Sequence, residues 1–154
     1  MEKEGALNEI TKLLVESKTE TEEIIAVKLL SSFYEEVLKN FSIEELNKNE
    51  FEVQGGVALS PIHAKECLYD YIRTARFIKG VYKAINNAKE NFVDEIVEVV
   101  YAGCGPLATL IIPLLSFYDP KKIAITLIDI HDVSIMSTKK IIEYLKYEEY
   151  IKEY

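Results

Sequence analysis

The chain has 154 residues, of which 49% are hydrophobic and 29% charged, and this composition predicts one soluble globular unit with a real core. The net charge of −8 gives no electrostatic footprint for nucleic-acid phosphates, and the two cysteines lack the spacing of a disulfide framework or a zinc site. The first residues lack a signal-peptide core, and the most apolar stretch, LATLIIPLLSF, is too short to span a bilayer. From these observations together we expect a cytoplasmic protein without a membrane, metal or nucleic-acid partner.

Two helices are predicted at the start of the chain. Residues 7–14 carry apolar side chains at helical spacing, and the polar stretch ESKTETEE then interrupts the pattern. Thr19 with Glu22 forms a capping box, which opens a second helix running to about residue 39. The apolar stripe of this helix consists of Ile24, Val27, Leu30, Tyr34 and Val37. Residues 1–50 are expected to form a helical cap or a partner surface.

A loop and a long helix are predicted over residues 51–92. A second capping pattern at 42–45 predicts a short helix, and the glycine pair in FEVQGGVALSP then predicts a turn or an ordered loop. Ser60 before Pro61 is typical of a helix start. The helix is expected to end around NNAKEN, with a bend near Gly80. Its apolar positions are Ala64, Leu68, Tyr71, Ala75, Ile78, Tyr82 and Ile85.

The second half of the chain has the pattern of an α/β fold. EIVEVVYA and IAITLID predict two buried strands, and residues 106–118 between them predict a buried helix kinked at Pro113. Asp132 is expected to cap a last helix that continues to the C-terminus. This order predicts a parallel pair with a right-handed crossover. We therefore expect residues 93–154 to form the first half (βαβα) of a Rossmann-like parallel sheet.

A glycine turn and an acid predict a nucleoside site. Gly103 and Gly105 lie where a strand turns into the predicted helix, whose N-terminus would offer free amides and a positive dipole end. Asp129 ends the next predicted strand, where it can accept hydrogen bonds from a ribose. The alternative is a tight turn beside an ordinary strand-end acid. Cys104 is interpreted as a small residue and not as a nucleophile. The expected cofactor-binding residues in this region are Ala102, Gly103, Cys104, Gly105, Asp129 and Ile130.

Two classes of cofactor use such a turn. GCGPLA nominally satisfies the dinucleotide pattern, with Ala108 in third place, but Pro106 removes an amide that a pyrophosphate would use. VVYAGCGPLATL resembles motif I of the class I S-adenosylmethionine-dependent methyltransferases, and ITLIDIH is similar to their second strand with its ribose-binding acid. The resemblance covers roughly residues 60–135 and implies S-adenosylmethionine as the cofactor.

A second resemblance lies upstream of the glycine turn. DYIRTARFIKGVYKAI is similar to the helix that precedes motif I in protein arginine methyltransferases, although four extra residues separate its two halves. The matching positions are Asp70, Arg73, Thr74, Tyr82, Ala84 and Ile85. The resemblance implies that Arg73 contacts the cofactor's carboxylate. Asp70, Arg73 and Arg76 also share a three-residue spacing, so a solvated row of ion pairs is the alternative.

The pattern after Asp129 lacks most of a complete methyltransferase sheet. We expect a fragment of a longer enzyme. The other two interpretations are that a second copy supplies the remaining strands, and that this short form only binds its ligand. GGVALSP is interpreted either as a lid over the cofactor or as a connecting loop, and His131 is expected to flank the adenosine.

The expected function is that of an S-adenosylmethionine-dependent methyltransferase, with a small-molecule methyl donor, an unassigned acceptor and no assigned catalytic residue. A homo-oligomer is compatible with this interpretation. The alternatives are half of a nicotinamide-dinucleotide oxidoreductase and a non-catalytic helical interaction module.

Overall fold

The N-terminal part of the chain is helical. The computed structural model describes residues 2–41, 51–53 and 56–154. Helix α1 spans Glu2–Glu16 and helix α2 spans Glu20–Leu38. The predicted capping box is confirmed, because the Glu22 amide donates to Thr19 Oγ1 and the Glu22 carboxylate accepts from the Thr19 amide at 3.0 Å. The short helix predicted from the 42–45 pattern lies outside the described residues.

A hairpin and two helices replace the predicted loop and single long helix. Strand β1 (Phe51–Val53) pairs antiparallel with β2 (Gly56–Ala58), whereas Gly55 lies outside the described residues. Helix α3 (Pro61–Glu66) begins after a Ser60 cap, as predicted, and a 3-10 turn at Cys67–Tyr69 separates it from α4 (Tyr71–Asn91).

The prediction of one helix bent near Gly80 was wrong. The chain breaks at Asp70, whose backbone leaves the helical region (ψ 78°) and whose carboxylate accepts the Arg73 amide at 3.3 Å. This acid therefore caps α4, which continues through Gly80 without interruption.

The sheet has three parallel strands in the order β3–β4–β5. Strand β3 spans Val97–Ala102, β4 spans Ile123–Ile128 and β5 spans Ile151–Glu153. The predicted parallel pair is confirmed, with Val97 opposite Ile123 and Ala102 opposite Ile128. Together with the preceding helices, this sheet makes the chain a mixed α/β protein.

The end of the chain differs from the prediction. Helix α5 (Asp132–Leu145) stops where Lys146 takes a left-handed conformation (φ 60°), and a 3-10 turn then leads into β5. The last helix therefore does not continue to the C-terminus, and the sheet does not stop at two strands. Asp132 is the first residue of α5 and not its cap. The residue at the cap position is His131, whose side chain makes no capping hydrogen bond to the helix.

The apolar run between β3 and β4 is buried, but it is not an α-helix. Residues 106–111 form turns, and a 3-10 helix follows at Ile112–Phe117. Ala108 has a positive φ (41°), which a right-handed helix does not allow, and Pro113 carries no amide hydrogen. The prediction of burial was right, and that of one helix over residues 106–118 was wrong, because an apolar run without periodicity predicts burial only.

Helices α1 and α2 share one core with the sheet. Leu7, Leu30 and Tyr34 belong to the same buried cluster as the apolar residues of β4. Asn8 Nδ2 donates to Ser116 Oγ at 2.9 Å, which joins α1 to the 3-10 helix before β4. In the described part of the chain, no helix is both long and apolar enough to cross a membrane.

One face of the sheet is covered and the other is exposed. On β4, Ile123, Ile125 and Leu127 are buried, whereas the side chains that alternate with them are more exposed. Val100 on β3 is 65% exposed and Ile128 on β4 is 48% exposed. Glu98 on β3 forms an ion pair with Lys152 on β5 on the exposed side of the sheet.

Candidate functional site

A cavity of about 540 Å³ lies between the carboxyl ends of β3 and β4 and the helices α3 and α4. This volume is within the range of small-molecule sites, and the position is the one at which open parallel sheets bind ligands. The lining includes six of the predicted cofactor-binding residues: Arg73, Gly103, Cys104, Gly105, Asp129 and Ile130. Ala102 does not line the cavity and is exposed at the end of β3.

The glycine turn has the backbone that only glycine adopts easily. Gly103 and Gly105 have φ values of 70° and 64°. The amides of Gly103 and Cys104 both donate to the Ile128 carbonyl, at 2.7 and 3.1 Å, which ties the turn to the end of β4. A Cβ on Gly105 would lie 3.4 Å from the Ala64 Cβ, so helix α3 packs directly against the turn.

Replacing Gly103 with alanine should lower the free energy of unfolding by about 1–2 kcal/mol, because the Cβ of alanine makes a left-handed backbone with φ 70° sterically unfavourable. No atom lies within 4 Å of the added Cβ, so the cost is conformational. Gly80→Ala is the matched control: it lies within α4, also with open space around the Cβ, and should stabilise the protein by roughly 0.5–1 kcal/mol. Urea unfolding of both variants measures the difference, and equal effects would contradict this assignment.

Asp129 holds the glycine turn together. Its Oδ2 accepts the Gly105 amide at 2.8 Å, and its Oδ1 accepts the His131 amide at 2.9 Å and lies 3.2 Å from His131 Nδ1. Thr138 Oγ1 donates to the Gly105 carbonyl at 3.0 Å and fixes the same turn from α5. The carboxylate is only 8% exposed, yet it lines the cavity. Among the described residues only the Gly105 amide donates to its Oδ2, so this oxygen can accept another hydrogen bond.

The helix N-terminus predicted beside the glycine turn is absent. Residues 106–111 are turns, and the helix that follows them is a 3-10 segment beginning at Ile112. The turn therefore lacks the converging amides and the dipole with which an α-helix binds a pyrophosphate. This geometry disfavours a dinucleotide more strongly than Pro106 alone does.

Asp70, Arg73 and Arg76 do not form the row of ion pairs that was the alternative interpretation of their spacing. Asp70 caps α4 through the Arg73 amide, and Arg76 Nε donates to the buried Glu23 at 2.8 Å. Lys79 Nζ contacts the same carboxylate at 2.8 Å. The Arg73 guanidinium has no ion pair within the described residues and lies over the Phe77 ring at 5.5 Å, so this arginine is available to a ligand.

The thiol of Cys104 and the phenol of Tyr101, which lie beside the turn, are neutral at physiological pH. Burial, followed by the nearby Asp129 carboxylate, raises the pKa of the Cys104 thiol to about 12. This shift argues against a nucleophilic cysteine, since the thiolate is the reactive form. Burial also raises the pKa of Tyr101 well above its ordinary value.

Several lining residues were missed by sequence reasoning. Tyr101 follows Val97 and Val99 on the inward face of β3, so strand alternation was a signal that could have placed it beside the turn. Leu59 enters from the segment after β2, where a lid was one interpretation of the sequence. His131 lines the cavity, whereas His63 does not. In the part of the chain that the structure describes, no group of three or more histidine, cysteine and acidic residues could hold a metal.

Comparison with known proteins identifies no relative. No family model matches the chain, and neither curated proteins nor solved structures give a significant match.

Proposed function

We propose that this protein binds S-adenosylmethionine in the cavity and is a methyltransferase. The observation that carries the proposal is the convergence of a glycine turn, a strand-end acid and an arginine without an ion pair among the described residues on one cavity at the ends of parallel strands. A Rossmann-like identity for the three-stranded sheet is part of the same proposal.

Each group has a role that matches its chemistry. The Arg73 guanidinium pairs with the carboxylate of the donor, because its planar fork fits a carboxylate with two parallel hydrogen bonds. The Asp129 carboxylate accepts from a ribose hydroxyl through its remaining lone pairs, and the turn at Gly103 and Gly105 lets the ligand approach the backbone closely. The sulfonium is already an activated leaving group, so catalysis rests on holding donor and acceptor in line.

Calorimetry with S-adenosylhomocysteine and with NAD on the full chain tests the proposal. We expect binding of S-adenosylhomocysteine and none of NAD, because the glycine turn lacks the helix amides that a pyrophosphate needs. Binding of NAD alone would replace the proposal with an oxidoreductase. Binding of neither ligand by a chain that unfolds cooperatively would favour a non-catalytic interaction module.

A further inference from the structure

Tyr101 is another polar residue in the wall of the cavity. Its side chain lines the cavity together with that of Arg73, and the phenol and the guanidinium interact electrostatically. The two residues come from different elements, since Tyr101 lies on β3 and Arg73 in the first turn of α4.

The phenol of Tyr101 is available to a ligand. Within the described residues its hydroxyl makes no hydrogen bond, whereas Thr74 and Asp129, which also line the cavity, do. Thr74 Oγ1 donates to the Cys67 carbonyl at 3.1 Å, and Asp129 accepts from the Gly105 and His131 amides. Because burial keeps the phenol protonated, it is a hydrogen-bond donor at neutral pH.

The chemistry of the two donors selects a carboxylate. A carboxylate has about four lone-pair sites, and a guanidinium fork occupies at most two of them. A phenolic hydroxyl beside the fork supplies a further donor, and a hydrogen bond to a charged acceptor is stronger than a neutral one. We propose that Tyr101 donates a hydrogen bond to the ligand carboxylate that Arg73 pairs with, so that the two residues select ligands carrying an amino-acid end. This inference rests on the proposed function.

The test compares two ligands that differ at that end. Calorimetry measures S-adenosylhomocysteine, which carries the amino-acid group, and methylthioadenosine, which lacks it. In Tyr101→Phe the affinity for S-adenosylhomocysteine should fall about tenfold, and that for methylthioadenosine should stay the same. Tyr82→Phe is the control, because Tyr82 packs edge-on against Phe117 outside the cavity. It should change neither affinity.

The outcomes distinguish the role of Tyr101 from the proposed function on which it rests. If the unmodified chain binds S-adenosylhomocysteine and Tyr101→Phe binds it equally well, the role of Tyr101 is overturned and the proposed function stands. Equal losses for both ligands would mean that the phenol shapes the cavity without contacting the carboxylate. If the unmodified chain binds neither ligand, both proposals fail.

Discussion

Replacing Asp129 with alanine should lower the free energy of unfolding by roughly 2–5 kcal/mol, the cost of leaving two buried amides without an acceptor. The amides are those of Gly105 and His131, which donate to the two carboxylate oxygens at 2.8 and 2.9 Å. Both residues are buried, so water does not readily replace the lost acceptor. Urea unfolding measures the loss directly.

Two variants sharpen this measurement. Asp132→Ala removes an exposed carboxylate from the first turn of α5 and should cost at most about 1 kcal/mol, since only its interaction with the helix dipole is lost. Asp129→Asn keeps one carbonyl acceptor and should fall between the two alanine variants. A loss of less than about 0.5 kcal/mol in Asp129→Ala would show that the carboxylate does not hold the turn. Its role would then be confined to the ligand.

Replacing Arg73 with alanine should weaken S-adenosylhomocysteine binding about 10- to 100-fold, which corresponds to the loss of a charged hydrogen-bonded pair. Methylthioadenosine, which has no carboxylate, should bind with unchanged affinity. The fold should tolerate the change, because the guanidinium has no ion pair in the described part of the chain and its contact with the half-exposed Phe77 ring contributes only about 0.5–1 kcal/mol. Calorimetry with both ligands measures the ratio of affinities.

Arg76→Ala is the matched control for this prediction. Arg76 lies one helical turn further along α4 and pairs with Glu23, so its removal should affect stability and leave the affinity ratio unchanged. Arg73→Lys keeps the charge without the planar fork and should recover only part of the affinity. A parallel loss for both ligands in Arg73→Ala would contradict a specific pairing with the carboxylate.

Local signals predicted most of the regular elements. The capping box at Thr19 and the serine–proline start at Ser60 were right because their hydrogen bonds form within three residues of the chain. The β-branched runs predicted β3 and β4, and their parallel pairing followed from the length of the connection between them. The break at Asp70 was missed because the apolar periodicity continues across it, although aspartate is a favoured cap residue.

Features that depend on distant parts of the chain were not predictable. Strand β5 is only three residues long, and it becomes a strand by pairing with Ile125 and Thr126 after α5 has reversed the chain. The turns after Gly105 fill a space that the surrounding core defines, and their apolar sequence does not encode a periodicity. The sequence placed Asp129 at the correct strand end, but only the folded chain gives its carboxylate the Gly105 amide as a partner.

The exposed face of the sheet has two ends with different chemistry. The ion pair between Glu98 and Lys152 makes one end of this face charged and hydrated, whereas the exposed side chains of Val100 and Ile128 make the other end apolar. Ile128 also belongs to the wall of the cavity. Ile128 therefore lies both on the exposed face of the sheet and in the wall of the cavity, so a substitution at this one residue would alter both surfaces.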